Sequence, residues 1–249
     1  MRHKDSKVLV LAVIALVLAA AIPLYHYHIF VFKKAAKDIP LQYKLLLVKW
    51  FPFSEENSLK EWEEKIFKGK VVYKVEKERV VSYVRATSSQ AASALYYRIK
   101  MDARRKHPVV SWKWNVQKFP EKRLPESLET KDEDDFAARV YVIFPAAFFT
   151  NSKVLEYVWA ETIPEGTLGT SQYSKNIKLI VAQSGKNDGG QWYPEERDII
   201  GDYKRAFGRA PEYDIGAVAF MTNAEHTGTS ADSMYDEIKL AYKEDSPKQ

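Results

Sequence analysis

The sequence predicts an all-β protein: two sheets packed as an antiparallel β-sandwich, with one or two short helices, behind an N-terminal membrane helix. Three observations predict it. Nine segments alternate apolar and polar residues with a period of two, and they are rich in Val, Ile, Tyr, Phe and Trp. Only one or two stretches carry the helical spacing of three and four. Strands do not alternate with helices, and no glycine-rich nucleotide loop occurs, so a parallel α/β sheet is disfavoured.

The elements follow in chain order. Arg2, Lys4 and Lys7 precede an apolar run from Val8 to Ile22, which resumes after Pro23 and reaches Phe32. That span of 25 residues exceeds the roughly 20 needed to cross a bilayer. Ala19-Ala20-Ala21 also fits the end of a cleaved secretory signal. The continued apolar character favours an uncleaved anchor over residues 1–32, with Tyr25, His26, Tyr27 and His28 near the interface. Lys33, Lys34, Lys37, Lys44 and Lys49 follow the span and pull toward a cytoplasmic domain, whereas the signal-like start pulls outward. The expectation is a single-pass protein with its domain on the extracytoplasmic, periplasmic side, or a secreted one if the start is removed.

Residues 33–53 form a basic, apolar connector. Within it, Lys44–Trp50 fits either a short amphipathic helix on the membrane surface or a segment packed on the domain. The sandwich is expected over residues 54–245, with a tail at 246–249. Leu59, Trp62 and Ile66 have helical spacing, and Ser58 with Glu61 makes a capping-box pattern, so a helix is expected over Ser58–Phe67. The nine strands are expected at Lys70–Glu76, Arg79–Thr87, Ala92–Met101, Val109–Gln117, Phe136–Phe144, Val154–Glu161, Ile177–Gln183, Ile215–Thr222 and Met234–Tyr242. A second helix runs from Ile199 to Phe207 and stops at Gly208.

Charge and composition exclude several classes. Eight of the 38 basic residues and two of the 33 acidic ones lie in residues 1–53, a net charge of +6; the remaining 30 basic and 31 acidic residues give −1. The basic excess therefore belongs to the apolar N-terminus, and the domain lacks the footprint of a nucleic-acid binder. The absence of cysteine removes disulfides, thiol catalysis and zinc–thiolate sites.

Candidate chemistry centres on Asp132–Phe144. Phe136, Ala138, Val140, Val142 and Phe144 share an apolar face, while Asp135, Arg139 and Tyr141 share the other, which is a solvated surface or the floor of a binding site. In Val110–Val116 the indoles of Trp112 and Trp114 share one face, leaving Ser111, Lys113 and Asn115 on the other, where Lys113 and Asn115 can stand beside Arg139 and Tyr141. Tyr157 and Trp159 are either core residues or flat platforms for sugar rings. Arg197, among Glu195, Glu196 and Asp198, is a structural ion-pair partner or a rim charge. Asp132, Asp134 and Asp135 lack the glycine turn and distal glutamate of a calcium-binding loop, so neither metal nor cofactor is expected. There is no nucleophile elbow, phosphate loop or zinc-protease motif, and neither His107 nor His226 has an obvious catalytic partner.

Several short blocks recur in a fixed order: Ser93-Ala94-Leu95, Trp112-Lys113-Trp114, Asp134 through Tyr141, Tyr157-Val158-Trp159, Arg197-Asp198 with Asp202, Phe220-Met221-Thr222, and Tyr235-Asp236-Glu237-Ile238. This set, from about Trp62 to Leu240, resembles the bacterial family called domain of unknown function 3047. The resemblance implies an envelope-associated protein whose sandwich is like the jelly rolls of carbohydrate-binding modules. Where that family tends to carry two aspartates and an asparagine after the Met-Thr pair, this chain has Asn223, Glu225 and His226. The resulting expectation is a non-catalytic envelope module that binds a glycan or another polar polymer through Lys113, Asn115, Asp135, Arg139, Tyr141, Tyr157, Trp159 and Arg197. The alternatives are a carbohydrate hydrolase using paired carboxylates, with Asp135 as one of them, and a structural module of an envelope assembly.

Overall fold

The strands expected from period-two alternation pair into two sheets that face each other across one apolar core. A computed structural model describes residues 43–131, 134–187 and 190–244. Its strands are β1 (Lys44–Phe51), β2 (Glu63–Lys68), β3 (Val72–Glu78), β4 (Val81–Ser89), β5 (Ala92–Met101), β6 (His107–Lys118), β7 (Ala138–Phe144), β8 (Lys153–Ala160), β9 (Leu168–Thr170), β10 (Ile177–Ser184), β11 (Tyr193–Asp198), β12 (Ile215–Asn223) and β13 (Ser230–Glu244). The six-stranded sheet has the order β11-β6-β13-β4-β3, with β1 also on β13; the seven-stranded sheet has the order β2-β5-β12-β7-β8-β10-β9. The nine expected strands are β3 to β8, β10, β12 and β13.

One pairing departs from the antiparallel sandwich that was expected. β10 runs parallel to β8, with Leu179 opposite Glu156 and Val181 opposite Val158. A parallel neighbour needs a long crossover, and residues 161–176 provide it. They also contain β9, which closes antiparallel on β10.

Three further elements differ from the sequence expectation. Ser58–Phe67 is not a helix: a 3₁₀ turn over Glu56–Glu61 gives way to β2. The Ser58 hydroxyl accepts from the Glu55 backbone N–H at 3.1 Å and closes only that turn. Trp62 then packs on Phe51 and Phe220, with ring centroids 4.8 and 4.9 Å away, while Ile66 is exposed, so the helical spacing of these residues never becomes one buried face. The connector stretch Lys44–Trp50, left open between a surface helix and a segment packed on the domain, takes the second form as strand β1 on β13, a strand the alternation did not mark, and Phe51 and Phe53 carry it into the core. Tyr193–Asp198, where no strand was expected, is an edge strand on β6.

The helix α1 (Ile199–Phe207) forms as expected. Asp198 caps its start by accepting from the Gly201 N–H at 3.1 Å, and Gly208, at φ 72°, ends it in the left-handed conformation that glycine tolerates. The expected span Val8–Phe32 and the tail 246–249 lie outside the described residues; among those described, no helix is long and apolar enough to cross a membrane.

The core is aromatic at its centre. Trp112 and Trp114 of β6 meet Tyr157 and Trp159 of β8 at centroid separations of 5.4 and 5.7 Å, joining the two sheets. Such pairs add about 0.5–1.5 kcal/mol each beyond the area they bury. Of the apolar face expected over Phe136–Phe144, Ala138, Val140, Val142 and Phe144 lie here, whereas Phe136 precedes β7, escapes the alternation and packs on the outer side of the sheet.

Candidate binding face and its polar cluster

The seven-stranded sheet turns its other face outward. Leu95, Val140, Leu155, Val218 and Phe220 point into the core, so their sequence neighbours point out. The register sets one outward row across the strands: Glu63, Tyr96, Ala219, Tyr141, Glu156 and Leu179. Part of this face is covered. Leu128 and Phe136 pack on Val158, Ala160, Leu179 and Val181 and form a second small core over β8 and β10. Over β5, β12 and β7 the face keeps a low floor. Ala217, Ala219 and Met221 are successive outward positions of β12, flanked by Tyr96 and Arg98 on one side and Tyr141 and Ile143 on the other.

These positions form a shallow band on the outer face, closed at one end, where Tyr141 packs on Met221, Ala92 and Ala94 with its hydroxyl 3.6 Å from Met221 Sδ. Tyr96 and Tyr141 are two strands apart, about 10 Å, with only the methyl group of Ala219 between them. Residues 217–221 give it a length of about 14 Å. Both tyrosines are half-buried. On the rim, the Tyr96 hydroxyl donates to Glu63, and Arg98 donates to the same carboxylate at 2.9 Å. The Tyr96 and Arg98 contacts hold the Glu63 carboxyl below its ordinary range. Near Arg98 a surface cavity of about 600 Å³ opens, lined also by Lys100, Arg104 and Asp214.

Beside Tyr141 lies a buried polar cluster centred on Arg139, which is 3% exposed and therefore no part of an open surface. Its Nε donates to Asn223 Oδ1 at 2.7 Å, one Nη donates to Glu156, and the other donates to Asp134 through the backbone oxygen and, at 3.2 Å, Oδ1. Burial opposes its charge, but Asp134, Tyr141 and Glu156 outweigh that and hold its pKa well above the ordinary value. Burial likewise pushes Glu156 up, against the pull of Arg139. Asn223 is the hub: its Nδ2 reaches Asp134 O at 3.0 Å, Asp135 Oδ1 at 2.6 Å and Glu225 Oε2 at 2.9 Å. Asp135 Oδ2 accepts from Thr227 N at 2.7 Å and Thr227 Oγ1 at 2.8 Å. Burial would raise the Asp135 carboxyl, but these donors hold it below its usual range. His226 closes the cluster, with Nδ1 3.0 Å from Glu225 Oε1 and 3.4 Å from Asp135 Oδ1, and Nε2 hydrogen-bonded to the Tyr173 hydroxyl.

The residues expected to form one site are distributed otherwise. Asp135, Arg139 and Tyr141 are brought together, but Asp135 precedes β7 and is fully buried. Lys113 and Asn115 belong to the other sheet and cannot stand beside Arg139. Asn115 is a structural pin, donating to Gly190 O at 2.7 Å and accepting from Asn187 at 2.9 Å, while Lys113 is exposed on that sheet's outer side. Tyr157 and Trp159 are core residues, at 0% and 1% exposure, because β8 turns them toward β6; they offer no stacking surface. Arg197 grips Asp202 through two bonds of 2.9 and 3.0 Å, and Asp202 also accepts from Tyr157 at 2.9 Å, so Arg197 is held in a structural ion pair. Sequence reasoning missed Glu156, although it is the lone acid inside an apolar strand. It also missed Tyr96 and Ala219, which only the strand register brings into line with Tyr141.

The fold and this face define an all-β sandwich protein with an outward row holding Tyr96 and Tyr141 and a buried polar cluster on one sheet. Residues 60–239 match the family model described as "Protein of unknown function (DUF3047)", and the chain belongs to that family. No curated protein matches its sequence. Among solved structures it is similar to the family 11 carbohydrate-binding module of the cellulase Lic26A-Cel5E of Clostridium thermocellum, at 11% identity over 76% of this chain and 91% of that one, with a TM-score of 0.39. It is also similar to the xyloglucanase domain of NopAA from Sinorhizobium fredii, at 9% identity over 73% of this chain and 93% of that one, with a TM-score of 0.45. An adhesin domain of Lys-gingipain from Porphyromonas gingivalis matches at 10% identity over 77% of this chain and 96% of that one, with a TM-score of 0.35. These likenesses are to a binding module, a hydrolase and an adhesin, and they carry no ligand or activity across.

Proposed function

We propose that this is a non-catalytic binding module that takes a carbohydrate, or another polar polymer, along the outer face of the seven-stranded sheet. The observation that carries this reading is the register row Tyr96–Ala219–Tyr141, with Ala217 and Met221 extending its floor along β12. Two partly buried rings on either side of a one-methyl floor suit a flat sugar, whose C–H groups meet an aromatic face. The Glu63 and Arg98 rim supplies acceptors and donors for hydroxyl groups. The band's length favours a short stretch of polymer over a single small molecule. A hydrolytic role through Asp135 has weaker support, because that carboxylate is fully buried and committed to Asn223 and Thr227. Its neighbour Glu225 offers an oxygen in the same cluster, within 4.8 Å, rather than across a groove. We place the module outside the cytoplasmic membrane, held by the apolar span Val8–Phe32; the uninterrupted apolar run and its basic start support that placement.

A glycan array and pull-down with purified cell-wall polysaccharide, using the full-length chain, test the reading. Tyr96→Ala is expected to weaken binding about tenfold, the ~1.4 kcal/mol scale of one aromatic contact. Ala219→Leu fills the floor and is expected to abolish binding while the circular dichroism spectrum stays that of the parent. No binding by the folded parent, or full binding by Ala219→Leu, rejects this face.

A further inference from the structure

We propose that Asp135, Glu225 and His226 form a site for one divalent transition-metal ion of the zinc or manganese type. It lies at the end of the polar cluster and stands whether or not the outer face takes a glycan. Each residue offers one donor atom, and the three atoms lie within 4.8 Å of one another. The donors come from two separate segments, the approach to β7 and the loop after β12, so the fold rather than local sequence assembles them.

His226 Nδ1 faces both carboxylates. This atom is buried and has no hydrogen-bond partner among the described residues. It nevertheless lies 3.0 Å from Glu225 Oε1 and 3.4 Å from Asp135 Oδ1. An imidazole nitrogen within reach of two carboxylates, aligned for a hydrogen bond with neither, is placed as a co-ligand would be. With metal–ligand bonds of about 2.1 Å, ligand atoms stand ~3.0 Å apart at a right angle and ~3.4 Å apart at the tetrahedral angle. The two separations match those values.

Charge points the same way. Arg139 ion-pairs with Asp134 and Glu156, whereas Asp135 and Glu225 are held by the neutral amide of Asn223. A ring nitrogen with two carboxylates suits zinc or manganese better than calcium, which takes six to eight oxygens. Groups that would orient the ligands are in place: Tyr173 on Nε2, Thr227 on Asp135, and Asn223 on both carboxylates.

The full-length chain, stripped with a chelator, should retain one equivalent of zinc or manganese after desalting and should melt higher with either ion than without. His226→Gln and Glu225→Gln should each lose that equivalent and the melting shift, while melting in chelator stays near the parent's. Tyr173→Phe, outside the ligand set, should weaken zinc binding about tenfold. Retention of no ion by the folded parent, undiminished retention by both ligand variants, or stabilisation by calcium alone overturns the assignment. If both variants fail to fold, zinc-soaked crystals of the parent decide: an anomalous peak among the three side chains sustains the site, and a peak elsewhere or none removes it.

Discussion

At the scale of single residues, Arg139 shows how a polar face can be filled without being a binding surface. Its fork is committed to Glu156, Asp134 and Asn223, and its Cζ lies 4.9 Å from the Phe136 ring centroid. Arg139→Ala leaves these acceptors buried and unpaired, so a loss of about 3–5 kcal/mol in urea unfolding is expected. A loss below 1 kcal/mol would mean that water reaches the cluster. Glu195 gives a pH prediction. Burial, opposed by Arg197, raises its pKa from 4.5 to about 7. The folded state therefore favours the protonated acid. Its stabilisation is full below about 4.5 and is lost as pH rises through about 7. Glu195→Gln should match the parent at pH 4 and melt higher at pH 8; equal melting at both pH values would show that the carboxyl is hydrated. Asp236, raised by burial to about 6, adds to the parent's own slope but not to this difference.

At the scale of elements, most strands were legible because burial on one side imposes a period of two. Ala92–Met101 has the same bounds in sequence and structure. The misses share a cause: edge strands need not alternate cleanly. β11 carries Pro194 among four charged residues, and β2 is charged at four of six positions. Alternation also fixes which side chains share a face without saying which face is buried. That is why Arg139 and Tyr141 were found together, whereas Tyr157 and Trp159 stayed open between core and platform until the structure put them in the core. Tyr96 and Ala219 were invisible as partners because register, a property of strand pairs, puts them in line with Tyr141. The cover over β8 and β10 yields its own test. A methyl group on Gly169 of β9 would meet the Leu128 Cβ at 2.6 Å. Gly169→Ala should displace the Leu128 segment, cost about 1–3 kcal/mol, and speed proteolysis near Leu128. Unchanged cleavage would mean that the segment is held elsewhere.

At the scale of the whole molecule, the proposed placement outside the membrane has a direct test. Large domains can cross regardless of the lysines that follow an anchor. Alkaline phosphatase fused after Gln249 should be active, and a fluorescent protein fused there dark; the reverse pattern puts the sandwich in the cytoplasm. Intact mass separates an anchor from a signal cut near Ala21. The sheet margins bear on how copies of the protein behave together. β2, β3 and β11 carry charges along their length, and β9 is only three residues long, so these margins resist pairing with another chain. β1 is less guarded, with Lys44 and Lys49 as its charges: among the described residues it pairs with β13, and Leu46, Leu47, Val48 and Trp50 stand exposed along it. Colloidal behaviour should therefore be governed by this one strand. Sedimentation velocity at rising concentration should show reversible self-association that Val48→Lys suppresses, with the melting temperature little changed.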